Sequence, residues 1–334
     1  MHHNFNPSRR QSIIRIGSGL SAGSALIALP AFSQAYPNKP IRLIVPVAAG
    51  GGIDFIARQV SDRLARGLGG SIMVENISGG GGIVACQTTA RAAPDGYTLI
   101  QSYVATHGTS PATRKLPYDA LTDFTPIGMI GGTPNVLVVP SNLPLSSAKE
   151  FIEYAKKNVG KLSYGSAGQG SLTHLAMEQL KASAGIFAVH VPYRGIAPAI
   201  NDMFTGSTQA MMPGLAAATP HLQGGKLKAL AVTGKQRHPN FPNVPTLEEL
   251  GYKGFDGIQW YGISGPAKMP AEIVQRINAE LNKVISSPDF KQRLAAEAVE
   301  PMPMSAEAFA AYIAADINRW KRVVIERKIE IEAS

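Results

Sequence analysis

Cysteine and long apolar segments are scarce in this sequence of 334 residues. Cys86 is the only cysteine, so an intrachain disulfide is excluded, and its apolar neighbours predict a small buried side chain rather than a nucleophile. After residue 35, no apolar run reaches the roughly 20 residues that a membrane-spanning helix needs. The sequence therefore predicts no membrane-spanning helix in this part of the chain.

Enzyme motifs are also missing. The seven histidines show no metal-ligand spacing, and no Walker loop occurs. The glycines at 165, 168 and 170 are in the wrong order for a dinucleotide loop. A Gly-x-Ser-x-Gly pattern at 19–23 lies in the N-terminal segment, and we treat it as a chance match. The sequence thus predicts a protein that is not an enzyme and has no catalytic residues, no cofactor and no metal.

Positive charge is spread along the chain without blocks of consecutive lysine or arginine. This distribution does not favour nucleic-acid binding. The first 35 residues contain three arginines and no acidic residue, so their removal lowers the formal net charge from +9 to +6. A diffuse positive field of this kind attracts small anions.

Residues 1–35 have the pattern of an export signal. Arginines come first, small and apolar residues follow at 16–29, and Ser33 and Ala35 provide the small side chains that a signal peptidase requires. We expect cleavage after Ala35 and a periplasmic location, reached by the Sec or the twin-arginine route. The alternative is a buried N-terminal helix, which the glycines in this segment disfavour.

A glycine-rich loop joins a predicted strand to a predicted helix near the start of the mature chain. The aliphatic run 41–45 predicts a buried strand, and apolar residues recur at helical spacing from Ile56. Glycines 50–52 permit a close approach to a guest molecule, and Asp54 stands where a helix N-cap is expected. The free N–H groups of a first helical turn favour an anion. The alternative is a tight turn that binds nothing.

The same design returns at 162–174, where Ser171 is the predicted helix cap. Strands and helices alternate along the chain, which predicts an α/β fold whose mostly parallel sheets bind ligands at the carboxyl ends of their strands. We expect two lobes, one formed by 36–137 with 260–334 and the other by 138–259. The hinge segments are predicted near 135–139 and 256–263.

The two loops and one arginine supply the candidate binding residues. Arg194 could pair with a carboxylate, and the alternative is an exposed, solvated arginine. His174 and His107 could reach the cleft, although a histidine satisfied within its own helix is the favoured interpretation. The predicted ligand-binding residues are Val47, Ala48, Ala49, Gly51, Gly52, Ile53, Asp54, Ser166, Ala167, Gly168, Gly170, Ser171 and Arg194.

Several motifs in this order resemble those of a known family between about residues 36 and 331. They are Asn-Ile-Ser-Gly-Gly-Gly-Gly at 76–82, Ala-Pro-Asp-Gly-Tyr-Thr-Leu at 93–99, Tyr-Gly-Ser-Ala-Gly-Gln-Gly-Ser at 164–171, Val-Pro-Tyr-Arg-Gly at 191–195 and Pro-Thr-Leu-Glu-Glu-Leu-Gly at 245–251. Together they resemble the periplasmic solute-binding proteins of tripartite tricarboxylate transporters, the Bug group of β-proteobacteria. The resemblance implies a two-lobed type II periplasmic-binding-protein fold with two crossover strands.

The resemblance also implies a function. A monomer would bind a small carboxylate through main-chain N–H groups and bridging waters and deliver it to membrane permease subunits. The first loop departs from the family pattern, with Val47 in place of an aromatic residue, Ala49 near a usual proline, and Ile53 in place of serine or threonine. The expected ligand is a di- or tricarboxylate or an aromatic carboxylate, and these departures favour a more apolar or bulkier body.

Two other functions compete with transport. An exported sensor could present its bound carboxylate to a receptor kinase. An exported serine hydrolase could use a serine of the 164–171 loop, but it would need a general base beside that serine. No pattern in the sequence supplies such a base, so no hydrolysis is expected.

Overall fold

The computed structural model describes residues 36–50 and 52–329. The predicted export signal and Gly51 lie outside the described residues. The strands are β1 (Ile41–Val45), β2 (Ile72–Asn76), β3 (Thr98–Tyr103), β4 (Phe124–Pro134), β5 (Val136–Pro140), β6 (Ser163–Ser166), β7 (Val189–Pro192), β8 (Ala210–Met211), β9 (Leu227–Val232), β10 (Ile258–Pro266) and β11 (Glu300–Pro301). The helices are α1 (Gly52–Leu68), α2 (Ile83–Ala90), α3 (Ser110–Thr113), α4 (Ala148–Lys157), α5 (Leu172–Ala184), α6 (Ile196–Thr205), α7 (Leu215–Gln223), α8 (Ala271–Ser286), α9 (Pro288–Ala296) and α10 (Ala306–Glu326).

The first sheet has six strands in the order β11-β4-β10-β3-β1-β2. Strands β1, β2 and β3 are parallel, with Leu43 opposite both Val74 and Leu99. Strand β10 runs antiparallel between β3 and β4. Helices α1 and α2 both contact β1, which explains why that strand is almost uniformly aliphatic.

The second sheet has five strands in the order β7-β6-β8-β5-β9. Strand β6 is parallel to β7 and β8, whereas β5 is antiparallel to β8 and β9. The carboxyl ends of β6 and β7 therefore lie side by side. Two sheets with flanking helices confirm the predicted α/β class.

The chain leaves the first sheet at a single residue, Asn135, which separates β4 from β5. It returns just before Ile258, where β10 begins. The backbone N–H of Asn135 donates to the hydroxyl oxygen of Thr233 at 2.8 Å, and that hydroxyl donates to the carbonyl of Gly257 at 3.0 Å. One side chain thus joins the outgoing and the returning segments.

Each sheet has its own apolar core, and α5 contributes to both. Leu180 and Met177 of α5 are buried with the second sheet. Leu172 and Leu175, at the start of the same helix, are buried in the core of the first sheet. The loop before α5 is therefore fixed between the two sheets.

Some predicted elements differ from the observed ones. Phe124 begins the eleven-residue strand β4, which was not predicted from the sequence. Helices α7 and α9 were not predicted from the sequence. Within the described part of the chain, no helix is long and apolar enough to cross a membrane.

Candidate ligand-binding site

The first loop lies at the carboxyl end of β1, and its acidic residue is occupied within the loop. Asp54 is not the helix N-cap that the sequence predicted, because α1 already begins at Gly52. Its buried carboxylate accepts hydrogen bonds from the N–H of Gly50 at 2.9 Å, from Asn76 at 2.8 Å and from Arg58 at 3.0 Å. Burial opposes the charge, but these three donors outweigh it and hold the pKa of Asp54 below its usual value. Asp54 therefore shapes the loop.

The other described residues of the first loop present backbone and apolar side chains. Val47 is half-buried, and its carbonyl accepts a hydrogen bond from Asn76 at 3.1 Å. Ala48 and Ala49 are exposed, and Ile53 packs partly against the core. A Cβ added at Gly52 would meet nothing within 4 Å, so open space lies in front of the first turn of α1.

The second loop follows β6, and most of its backbone N–H groups have partners inside the loop. Ala167 donates to the hydroxyl of Thr173 at 2.8 Å, and Gly168 donates to the hydroxyl of Ser166 at 3.1 Å. Gly170 donates to Nδ1 of His174 at 3.2 Å. Ala167, Gly168 and Gly170 are therefore placed at the predicted loop, with their N–H groups turned inward.

The start of α5 keeps two N–H groups that its own helix cannot satisfy. Ser171 is the N-cap, as the sequence predicted, and its hydroxyl accepts from the N–H of His174 at 3.3 Å. Leu172 and Thr173 are the first two helical residues, whose N–H groups have no intrahelical acceptor. These two donors lie one and two residues beyond the predicted set, and N–H groups of a first helical turn favour an anion.

A histidine lies beside a serine of this loop, contrary to the sequence-based expectation that no base is close. Nε2 of His190, on β7, lies 2.6 Å from the hydroxyl oxygen of Ser166. The two residues meet because β6 and β7 are parallel neighbours that end together. Sequence patterns missed the contact since it depends on strand pairing.

The stacked imidazole rings of His174 and His190 are in contact with this loop. The ring centroids of His174 and His190 are 4.1 Å apart, and the two rings are nearly parallel. The ring of Tyr164 also stacks on His190, with a centroid distance of 4.9 Å. Burial lowers the pKa of His174 to about 4, and burial with the neighbouring charges of His174 and Lys181 lowers the pKa of His190 to about 3. Both rings are therefore neutral near pH 7, which leaves Nδ1 of His174 free to accept from Gly170.

Arg194 follows β7, the strand that pairs with β6, and it forms no ion pair with a described residue. It is exposed, between β7 and α6. Gly195, the N-cap of α6, has φ of 121° and provides no side-chain cap. An exposed arginine at this position can be solvated or can reach a ligand.

Arg114 was not found by sequence reasoning, although it touches the second loop. Its Nη2 donates to the carbonyl of Gln169 at 2.8 Å. A Cβ at Gly170 would lie 2.8 Å from Oγ1 of Thr113, which precedes Arg114. No local sequence signal pairs residues that are 55 positions apart.

The remaining candidates are structural. Cys86 is fully buried, and burial raises its pKa to about 12, as expected for an unreactive thiol. His107 is also fully buried, against Phe124. Within 36–50 and 52–329, no cluster of three or more His, Cys, Asp or Glu side chains has the geometry of a metal site.

Comparison with known families now identifies this architecture. A model described as the tripartite tricarboxylate transporter family receptor matches residues 56–329. The chain belongs to this receptor family. The resemblance drawn from the sequence motifs is therefore confirmed, and so is the periplasmic-binding-protein fold.

Receptor relatives and solved receptor structures cover nearly the whole chain. The protein BugT of Bordetella pertussis is 33% identical over 314 residues, which is 92% of this chain and 95% of BugT. The structure of R. palustris Rpa4515 with adipate has a TM-score of 0.83 at 32% identity and covers 88% of this chain and 99% of that one. The structure of MatC from Rhodopseudomonas palustris with bound malate has a TM-score of 0.78 at 31% identity, and the match covers 86% of this chain and 100% of that one.

Proposed function

We propose that this receptor binds a small carboxylate in a cleft between two lobes and delivers it to the membrane permease of a tripartite tricarboxylate-type transporter. The first lobe is built on the first sheet and the second lobe on the second sheet. The protein acts in the periplasm after removal of residues 1–35, and it binds as a monomer without catalysis.

One observation carries the proposal: each sheet has a glycine-rich strand-to-helix loop, followed by first-turn N–H groups that have no acceptor within their own helix. In the first sheet this is the start of α1, in front of which Gly52 leaves open space. In the second sheet it is the start of α5, with the N–H groups of Leu172 and Thr173. Two such termini can hold a carboxylate through charge-assisted backbone bonds without a buried cation.

The apolar surroundings of the first loop favour a ligand with an apolar body. Phe55, in the first turn of α1, is 37% exposed, and Val84, in the first turn of α2, is 46% exposed. The side chains of Val47, Ala48 and Ile53 add no hydroxyl group or charge to the first loop. A dicarboxylate with several methylene groups or an aromatic carboxylate fits this edge better than a heavily hydroxylated one. The adipate bound to Rpa4515 is of the first kind.

A calorimetric screen of residues 36–334 tests the proposal. The ligands are adipate, malate, citrate, benzoate and phthalate, with butanediol and benzyl alcohol as uncharged controls. We expect micromolar binding of at least one carboxylate and none of the alcohols, since the anion is the group that is recognised. Failure of all carboxylates, at a protein concentration that detects millimolar affinity, would refute the proposed function.

A further inference from the structure

The second loop, which follows β6, is in contact with a residue from the part of the chain that forms the first sheet. Arg114, the residue after α3, donates from Nη2 to the carbonyl of Gln169 at 2.8 Å. Gly170 lies close to Arg114 and to the residue before it, Thr113. A Cβ at Gly170 would be 3.2 Å from Nη2 of Arg114 and 2.8 Å from Oγ1 of Thr113. Gly170 has φ of 71°, which a side chain rarely adopts. The close approach therefore depends on glycine at this position.

The apolar residues that follow continue the contact. Leu172 and Leu175 of α5 are buried with the first sheet's core, and both α3 and α5 pack against α10. The hydrogen bond from Arg114 thus lies next to an apolar contact made by Leu172 and Leu175. Together they hold the loop that carries the N–H groups of Leu172 and Thr173.

Arg114 forms no ion pair with any described carboxylate. Asp119 lines the same surface cavity, but its carboxylate accepts from the N–H groups of Leu121 and Thr122 at 2.7 Å and 3.1 Å. The charged donor of Arg114 is therefore directed at the carbonyl of Gln169. Hydrogen bonds with one ionised partner are stronger than neutral ones.

We infer that Arg114 is a positioning residue: it holds the second loop against the first lobe and so favours the closed arrangement without touching the ligand. The bond joins residues from opposite lobes, so it forms only when the lobes are close. The measured dissociation constant equals the intrinsic one divided by the fraction of protein in the competent state. Loss of the bond lowers that fraction, and every ligand of the site then loses the same factor.

The first test needs no ligand. Small-angle scattering and hydrogen exchange are measured on ligand-free wild type, Arg114→Ala and Arg114→Lys. The matched control is Arg91→Ala, which removes an exposed arginine from the end of α2. We expect a larger radius of gyration and faster exchange at 166–175 for Arg114→Ala, a smaller change for Arg114→Lys, and wild-type behaviour for Arg91→Ala. Wild-type values for both Arg114 variants would overturn the inference.

The second test uses adipate, malate and benzoate, and it rests on the proposed function. We expect Arg114→Ala to weaken each of the ligands that bind by about tenfold, equal to about 1.4 kcal/mol, mainly through faster dissociation. A loss that grows with the number of carboxylates would show a direct ion pair with the ligand and would overturn a positioning role. If wild type binds no carboxylate, the proposed function fails, while the ligand-free test still decides the role of Arg114.

Discussion

The hydroxyl oxygen of Ser166 lies 2.6 Å from Nε2 of His190, where the parallel strands β6 and β7 end side by side. A serine next to a neutral histidine is the geometry of an activated nucleophile. Here the serine is fully buried, and its oxygen also accepts from the N–H of Gly168 at 3.1 Å. Among the described residues, no carboxylate is hydrogen-bonded to His190. The pair therefore fixes the loop to the neighbouring strand.

We predict that the protein does not hydrolyse esters and that Ser166→Ala lowers its stability. The substitution leaves the N–H of Gly168 and Nε2 of His190 without their shared partner, which costs about 1–3 kcal/mol of unfolding free energy. Urea denaturation measures the loss. Ser183→Ala is the control, since the hydroxyl of Ser183 has no partner among the described residues. Saturable ester turnover that disappears in Ser166→Ala would contradict this prediction.

Binding should depend more on backbone access at α1 than on the charge of Arg194. Gly52→Ala adds a methyl group to open space without backbone strain, so the melting temperature should stay the same or rise slightly. Because that methyl group blocks close approach to the first-turn N–H groups, carboxylate affinity should fall by tenfold or more. Arg194→Ala should cost about tenfold or less, because this arginine is exposed and steers the ligand. Calorimetry with the best carboxylate measures both variants.

The opposite result has a clear meaning. If Arg194→Ala abolishes binding while Gly52→Ala binds normally, a side-chain clamp holds the anion. The corresponding substitution at Gly168 is a poorer test, because its φ of 122° already strains any side chain.

Stability should fall with acid because His107 is buried as the neutral imidazole. Its ring is fully buried, Nε2 has no hydrogen-bond partner in the described part of the chain, and burial lowers its pKa to about 3. The unfolded chain takes up the proton near pH 6.5, so unfolding is favoured as the pH falls from 6.5 towards 3. In this window His107 contributes a slope of about 1.4 kcal/mol per pH unit.

Urea denaturation between pH 7.5 and 4.5 measures this slope. His107→Phe keeps an aromatic ring beside Phe124, whose centroid is 4.7 Å from that of His107, and removes the titrating group. The variant should show a shallower loss of stability below pH 6.5 than wild type. Parallel curves for the two proteins would refute the assignment.

The buried carboxylate of Asp316 should be important for stability at the returning segment. It accepts from the indole N–H of Trp260 at 2.9 Å and from Arg319 at 2.8 Å, and Arg319 also reaches Asp256 at 3.4 Å. Asp316→Ala leaves the buried indole N–H of Trp260 without its acceptor and Arg319 with only the longer contact to Asp256, and it should cost about 3–5 kcal/mol. Asp316→Asn keeps an acceptor and should cost less. Glu249→Ala, which breaks the exposed pair with Arg237, is the control and should change the urea midpoint very little.

The sequence predicted those elements whose pattern is local. Helix α10 follows directly from its sequence, since its apolar residues repeat at helical spacing over 306–326. Strand β4 was missed because its glycines and prolines disfavour a strand. One of these, Gly131, is required by packing, because a Cβ there would lie 2.4 Å from the carbonyl of Glu300 on β11. That requirement comes from a strand about 170 residues later.

The candidate site also has some features that follow from local sequence and others that depend on residues far apart in the chain. The positions of both glycine loops and the Ser171 cap follow from residues that are adjacent in sequence. The Ser166–His190 contact and the Arg114–Gln169 contact join residues 24 and 55 positions apart, and they exist only through sheet pairing and lobe contact. Asp54 is the third residue of α1 rather than its cap, because glycine at the start of α1 hides where the helix begins.

The hydroxyl of Thr233 ties together the two connections between the sheets. A body attached at two points that are themselves joined can rotate about one axis but cannot twist freely. Any opening of the cleft is then a single-parameter motion whose amplitude grows with distance from Thr233. Since β9 ends beside Thr233 and β7 is the opposite edge of the second sheet, the end of β7 would travel furthest and the sheet switch at Asn135 would barely move, which makes β7 the natural position for a reporter dye.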